Sequence, residues 1–380
     1  MKILMLNYEF PPIGGGAGQA HLAILRQFAG QEDLSVDVLT SAPKPGFSKQ
    51  NLSDNVTIYT VGVHKKNLHF WRKIEVVEWV AKAYWHYKRL IKENEYDLVH
   101  AFFGLPTGWL CYKTADRLPY IISLRGSDVP GEHSRLQLEY KLLGPLLKKI
   151  WIKAAGLVAC SEGLKKRSLR FLPSVKIDVI PNGVDLNRFR PGAGREINDE
   201  MKLLTVGRLS VTKRFDMLIE AVRILHDKGK PVRLTMAGGG GLFEELKEFV
   251  ERNNLNGIIN LTGRIETEKM PDIYRQHDIF VTATMQEGMS NAMLEAMASG
   301  LPIITTRCEG VEELISDNGI VVEGSSAEAL AGAISKLYED KQGYRTMSIA
   351  ARQRAEKFGW DRVAEQYRQL YKKVCEQKSK

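Results

Sequence analysis

Ile279-Phe280-Val281-Thr282, then Glu287-Gly288-Met289-Ser290-Asn291-Ala292-Met293-Leu294-Glu295-Ala296-Met297-Ala298-Ser299-Gly300-Leu301-Pro302, then Ile303-Ile304-Thr305: this stretch decides the fold. The first run is short, apolar and rich in β-formers, which predicts a buried strand. Ser290 can cap a helix of good helix formers near 290–299, and Gly300 followed by Pro302 stops it. The last run predicts a second strand. Two such strands joined through a helix form a unit of parallel sheet.

The same rhythm extends in both directions. In the first half, strands are predicted at Lys2–Leu6, Val36–Thr40, Val56–Val61, Leu98–Phe102, Tyr120–Leu124, Leu157–Cys160 and Ile177–Ile180. Helices are predicted near 17–30, 72–93, 106–117, 134–153 and 162–171. In the second half, further strands are predicted at Lys202–Val206, Arg233–Ala237, Ile259–Thr262 and Ile320–Val322. Helices are predicted near 214–228, 241–253, 326–340, 343–357 and 360–376. Strands this apolar are covered on both faces, so each run reads as a doubly wound α/β domain. The 380 residues suit two domains, at about 100–200 residues each. Turn formers cluster at Pro181-Asn182-Gly183-Val184 and Pro191-Gly192-Ala193-Gly194, so residues 181–194 are expected to be the linker between domains 1–185 and 195–358.

A composition of 44% hydrophobic and 26% charged residues excludes disordered, collagen-like and coiled-coil chains. Charge is uneven. Residues 1–190 carry 27 Lys and Arg against 17 Asp and Glu, a net of +10, whereas residues 191–380 carry 27 against 28. The basic half invites an anionic partner: phosphate, nucleic acid or a membrane surface. No basic run interleaved with aromatics matches an RNA-binding motif, so nucleic acid is not expected. Cys111, Cys160, Cys308 and Cys375 are scattered without metal-ligand spacing, as suits reduced thiols. The apolar start Met1–Asn7 is too short for a signal peptide, and no run of about 18 apolar residues occurs. A cytoplasmic location is expected.

Glycines follow two strands. Gly14-Gly15-Gly16 lies after the first, and Gly238-Gly239-Gly240-Gly241 after Arg233–Ala237. At the carboxyl ends of parallel strands, glycines let backbone N–H groups approach a ligand, or they simply turn the chain. Neither loop has dinucleotide-fingerprint spacing, and no Walker lysine is present. Gly207 ends another strand, and Arg208 and Lys213 bracket the loop after it. Two cations there suit a diphosphate, or else a solvated loop. Glu287 precedes the 290–299 helix and Glu295 lies in its second turn. The amides of Met289, Ser290 and Asn291 point out of the helix N-terminus, a ready anion site. Carboxylate, phosphate cradle and carboxylate together suit a nucleoside-diphosphate sugar; separately the two glutamates read as turn and surface residues. No Asp-X-Asp triplet occurs, so no metal or other cofactor is expected.

Taken in order, these segments resemble the retaining glycosyltransferases of family 4, which share the GT-B fold: two Rossmann-like domains with a cleft between them. The matching residues are Gly14-Gly15-Gly16, Gly126-Ser127-Asp128, Pro181-Asn182-Gly183-Val184-Asp185, Gly207-Arg208 with Lys213, Ala237-Gly238-Gly239-Gly240, Glu287 with Glu295, and Phe358-Gly359-Trp360. The resemblance implies that Arg208 and Lys213 hold the donor diphosphate, Glu287 the donor sugar and Glu295 the ribose. It places Gly15 and Gly16 against phosphates or acceptor, with Gly14 and Arg125 on the acceptor side. The last helix, about 360–380, would complete the first domain. Many members carry His where Arg125 stands, so no imidazole acts here. Asp128 is read as a general base or a loop cap. The alternatives are a sugar-nucleotide epimerase of the same fold and a non-catalytic nucleotide-sugar binding module.

Segment 64–92 mixes cations and aromatics, among them Lys65, Lys66, Arg72, Lys73, Trp79 and Trp85. It suits attachment to the anionic inner face of a membrane, with a glycan or lipid-linked acceptor. Alternatively Ile74, Val77 and Ala81 pack on the sheet and the Trp side chains fill core.

Overall fold

The computed structural model describes all residues except 69, 132–136, 193–198, 286 and 379–380. His69, the expected helix start at 134 and the end of the expected linker therefore lie outside the described residues. The chain forms two compact units, Met1–Asn182 with Trp360–Lys380, and Gly183–Gly359.

The first unit runs β1 (Lys2–Asn7), α1 (Gly16–Phe28), β2 (Ser35–Ala42), β3 (Phe47–Ser53), β4 (Val56–Gly62), α2 (Lys73–Glu93), β5 (Leu98–Phe102), α3 (Thr107–Tyr112), β6 (Tyr120–Leu124), α4 (Gln137–Lys153), β7 (Gly156–Ala159), α5 (Glu162–Phe171) and β8 (Asp178–Val179). Its sheet has the order β3-β4-β2-β1-β5-β6-β7-β8, parallel except for β3. β5 and β6 are wholly buried, as continuous apolar runs in a covered parallel sheet should be. β3 was not expected from the sequence. Its residues, Phe-Ser-Lys-Gln-Asn-Leu-Ser, lie almost entirely exposed at the sheet edge, where no apolar face is needed.

The second unit runs β9 (Met201–Val206), α6 (Phe215–Asp227), β10 (Val232–Ala237), α7 (Phe243–Arg252), β11 (Ile259–Gly263), α8 (Met270–Arg275), β12 (Ile279–Thr282), α9 (Asn291–Ala298), β13 (Ile303–Thr306), α10 (Val311–Leu314), β14 (Gly319–Val322), α11 (Ala327–Glu339) and α12 (Lys341–Ala355). Its all-parallel sheet has the order β11-β10-β9-β12-β13-β14. Then α13 (Trp360–Lys378) joins the first unit, burying Val363, Tyr367 and Tyr371 with Ile24 and Phe28 of α1.

Residues 183–190 are not a free linker. Phe189 is buried edge-on to Tyr274, and the Arg352 guanidinium donates to the carbonyls of Leu186 and Phe189. Apolar burial and capped carbonyls build this segment into the second unit.

Segment 64–92 also departs from expectation. Lys65 is buried: its ammonium donates to Glu75 at 2.8 Å and lies 3.9 Å over the Trp71 ring. Trp79, Ala83, Tyr87 and Leu90 face the core, whereas Ile74 and Val77 are exposed. Among the described residues, no helix is long and apolar enough to cross a membrane.

Burial alone would raise the Glu75 carboxyl. Bonds from Lys65, the amides of Arg72 and Lys66 and the Arg72 side chain outweigh it, and the group falls from 4.5 to about 2. A depressed carboxylate stabilises the fold above its ordinary pKa, and that contribution is lost as pH falls toward 2. Glu75→Gln strands a buried ammonium and should cost about 3 kcal/mol or more at neutral pH. The deficit should shrink in acid. Urea unfolding of both proteins at neutral pH and near pH 3 checks this; an equal deficit at both would contradict it.

Candidate functional site

In the second unit, backbone pairing continues past the ends of β9 and β10. Gly207 N–H donates to Ala237 at 3.0 Å and Leu209 N–H to Gly239 at 3.1 Å. The approach is so close that a Cβ on Gly238 would sit 1.9 Å from the Gly207 carbonyl oxygen, and one on Gly240 2.3 Å from that of Leu209. These two glycines, expected to face the donor, are required by loop-on-loop packing. Gly207 is the partner in that packing.

After Leu209 the chain turns through residues 211–213, and Arg214 takes a left-handed conformation (φ 49°) before α6. The Thr212 carbonyl accepts from Met285 N–H at 2.9 Å, tying this turn to the loop after β12. The tie brings Lys213 onto Glu287 as an ion pair. Arg208, in the same loop as Lys213, is exposed, with no hydrogen bond or ion pair to any described residue. The two expected cations are thus in different states: one balanced by a carboxylate, one open.

Ser290 caps α9, its hydroxyl accepting from Met293 N–H at 3.3 Å, and Asn291 opens the helix. Met289 is buried, and the turn at Gly310 packs against the Gly288 carbonyl. The first-turn amides therefore sit at a packed, capped loop–helix junction. Glu295 accepts from the Tyr274 hydroxyl at 2.8 Å. Burial pushes its carboxyl up to about 7, against the opposing effects of the Tyr274 bond and the Arg188 charge. Tyr274 and Arg188 were not legible as site residues: one is a lone aromatic in a short helix, the other lay in the expected linker.

In the first unit, Gly15 is the N-cap of α1 and Gly16 its first residue. Gly14 has φ 93°, and a Cβ there would lie 2.8 Å from that of Glu9. A side chain would be strained and crowded, so this loop needs glycine to fold back over Glu9. Asp128 is a loop cap: its carboxylate accepts from the amides of Gly104 (2.7 Å), Arg125 (2.8 Å) and Gly126 (3.1 Å). Burial raises its pKa nonetheless. With those bonds made to backbone, the geometry is not that of a free general base.

Arg125 is also engaged inside the unit. Its guanidinium stacks 4.5 Å from the Phe102 ring and donates to Asn182 Oδ1 at 2.8 Å. His21 stacks on the same ring at 4.2 Å, its pKa lowered to about 3 by burial and by Arg125. Arg125 therefore braces Asn182 rather than presenting a free cation to an acceptor.

Comparison with known proteins agrees with this architecture. Residues 14–188 match the family model for Glycosyltransferase Family 4, and residues 200–340 that for Glycosyl transferases group 1. An uncharacterized glycosyltransferase of Methanocaldococcus jannaschii is 24% identical, with 99% of each chain covered. Sucrose-phosphate synthase from Thermosynechococcus elongatus has a similar structure, with a TM-score of 0.82 at 22% identity over 98% of each chain. Anabaena HepE, solved in complex with UDP, has a TM-score of 0.73 at 19% identity, with 98% of this chain and 100% of that chain covered. Two parallel-sheet α/β domains with these neighbours define a glycosyltransferase of the GT-B class. The chain belongs to glycosyltransferase family 4.

The Glu295 carboxyl yields a stability prediction. Its folded pKa lies above the ordinary 4.5, so ionisation penalises the fold progressively as pH rises from 4.5 through 7. Glu295→Gln should melt higher than the parent above pH 7, and the two should converge below pH 4.5, where both are neutral. Thermal melts across that range check it; a difference independent of pH would contradict it.

Proposed function

We propose that the protein is a retaining, metal-independent hexosyltransferase. It moves a sugar from a nucleoside-diphosphate sugar to an acceptor hydroxyl, in the synthesis of a cell-envelope or extracellular glycan. The observation that carries this reading is the Lys213–Glu287 ion pair, which joins the loop after β9 to the loop that leads into the capped N-terminus of α9. Departure of the diphosphate builds negative charge on phosphate and positive charge on the sugar ring. Arg208, Lys213 and the amides at the start of α9 would stabilise the first. Glu287 would hold the sugar, and the Glu295 carboxyl would accept from ribose hydroxyls. Acceptor recognition falls to the first unit, where the Gly14–Gly16 loop remains the candidate once Asp128 and Arg125 are engaged.

Arg208→Ala should lower kcat/KM by about 2–3 kcal/mol of transition-state stabilisation, and Lys213→Ala comparably. Glu287→Gln should lower kcat while leaving nucleotide affinity nearly intact. Initial rates with each of the UDP-, GDP- and ADP-sugars identify the donor and then check the three variants. Parental rates in any variant would remove that residue from the mechanism. An altered sugar still on its nucleotide would mean epimerase, and tight binding without turnover a binding module.

Activity should persist in excess EDTA, and proton NMR of the product should show the donor's anomeric configuration. Loss of rate on chelation, or an inverted anomer, would contradict the retaining, metal-independent assignment.

A further inference from the structure

Helix α2 carries two apolar stripes. Trp79, Ala83, Tyr87 and Leu90 are buried against the unit. Ile74, Val77, Ala81 and Trp85 follow the same helical spacing on the opposite side and are exposed. Helix α4 repeats this arrangement. Leu147, Ile150 and Trp151 are buried, while Leu138, Leu142 and Ile152 face outward. Ile74, Val77, Trp85, Leu138, Leu142 and Ile152 are each between 62% and 73% exposed. Single exposed apolar residues need no explanation, but two aligned rows do.

The two rows belong to one face. Right-handed crossovers put α2, α3 and α4 on the same side of the sheet. Lys73 at the start of α2 forms an ion pair with Glu139 at the start of α4. Between them, Tyr84 of α2 lies 5.9 Å from Trp109 of α3. Each row ends in cations. Lys88 and Lys92 continue the α2 stripe, and Lys141, Lys148 and Lys149 surround that of α4, whose own single carboxylate is Glu139, while Lys153 at its end is paired with Asp116. Apolar centre and basic rim match an anionic bilayer, whose headgroups meet lysine while indole and aliphatic side chains enter the acyl boundary. The net +10 of residues 1–190 adds long-range attraction.

We propose that the α2–α4 face docks the protein on an anionic lipid surface. This deepens the reading of a lipid-linked acceptor and rests on it for its purpose. It also replaces the cation set first expected, because Lys65 is a buried partner of Glu75 and not a lipid contact.

The test is flotation of the full chain with vesicles of equimolar phosphatidylcholine and phosphatidylglycerol, and with phosphatidylcholine alone. The protein should float with the anionic vesicles at low salt and be released at high salt. Val77→Asp, Trp85→Asp and Leu142→Asp combined should weaken partition at least about tenfold, and Lys88→Glu, Lys92→Glu and Lys149→Glu combined should do the same. All six sites are on the surface, and circular dichroism confirms that the variants fold. No flotation at low salt, or flotation unchanged in both combined variants, overturns the proposal. So does a parent that is dimeric in light scattering and becomes monomeric in the aspartate variant, which would make the face an interface between copies. Nucleoside-diphosphate binding without lipid reports separately on the second unit, so failure of docking and failure of the transferase reading are distinguishable.

Discussion

The candidate site depends on two hydrogen bonds between glycine-rich loops, Gly207 to Ala237 and Leu209 to Gly239. They carry the β9–β10 pairing beyond the strands, and they exclude any side chain at Gly238 and Gly240. The turn that follows is fixed by the bond from Met285 to Thr212, which delivers Lys213 to Glu287. A cation and a carboxylate from distant parts of the sequence thus meet where a backbone hydrogen bond joins their loops. Side-chain chemistry is placed here by main-chain geometry, as rigid sites require.

The first unit uses a different device. His100 bonds to Tyr371 and Ser123 at 2.7 Å each, and Ser123 to Tyr367 at 2.9 Å. This buried network fastens α13 to β5 and β6, and burial holds the His100 pKa well below its ordinary value, so the imidazole stays neutral. Arg125, the residue after β6, binds Asn182, the last residue before the chain leaves the unit. A buried polar network of this kind favours one seating for a helix that apolar packing alone specifies less sharply.

Much of this was legible in the sequence because buried parallel strands are continuous apolar runs with helices between them. β3 was not, since an exposed edge strand needs no hydrophobic period. The orientation of α2 was not either: it has apolar residues on both sides, and periodicity alone cannot say whether Ile74 and Val77 or Trp79 and Ala83 meet the sheet. Of the candidate site, Lys213, Glu287 and the Ser290 cap were readable from strand ends and cap chemistry. Glycines at 238 and 240 were visible as residues but not as packing requirements, because their partners, the backbone of Gly207 and Leu209, lie 31 residues earlier. Tyr274 beside Glu295 depends on a tertiary contact that no local pattern records.

In the proposed function the second unit would hold a nucleoside diphosphate at the start of α9. Methionines mark that place: Met289 in the preceding turn and Met293 in the first turn, with Met5 in β1 of the first unit as a control. The most direct measurement is a titration of methyl-labelled protein with nucleoside diphosphates, followed by the methionine methyl resonances. Saturable shifts at Met289 and Met293, with Met5 unmoved, are predicted for at least one nucleotide. Shifts confined to Met5, or none at any methionine up to saturating nucleotide, would contradict the account.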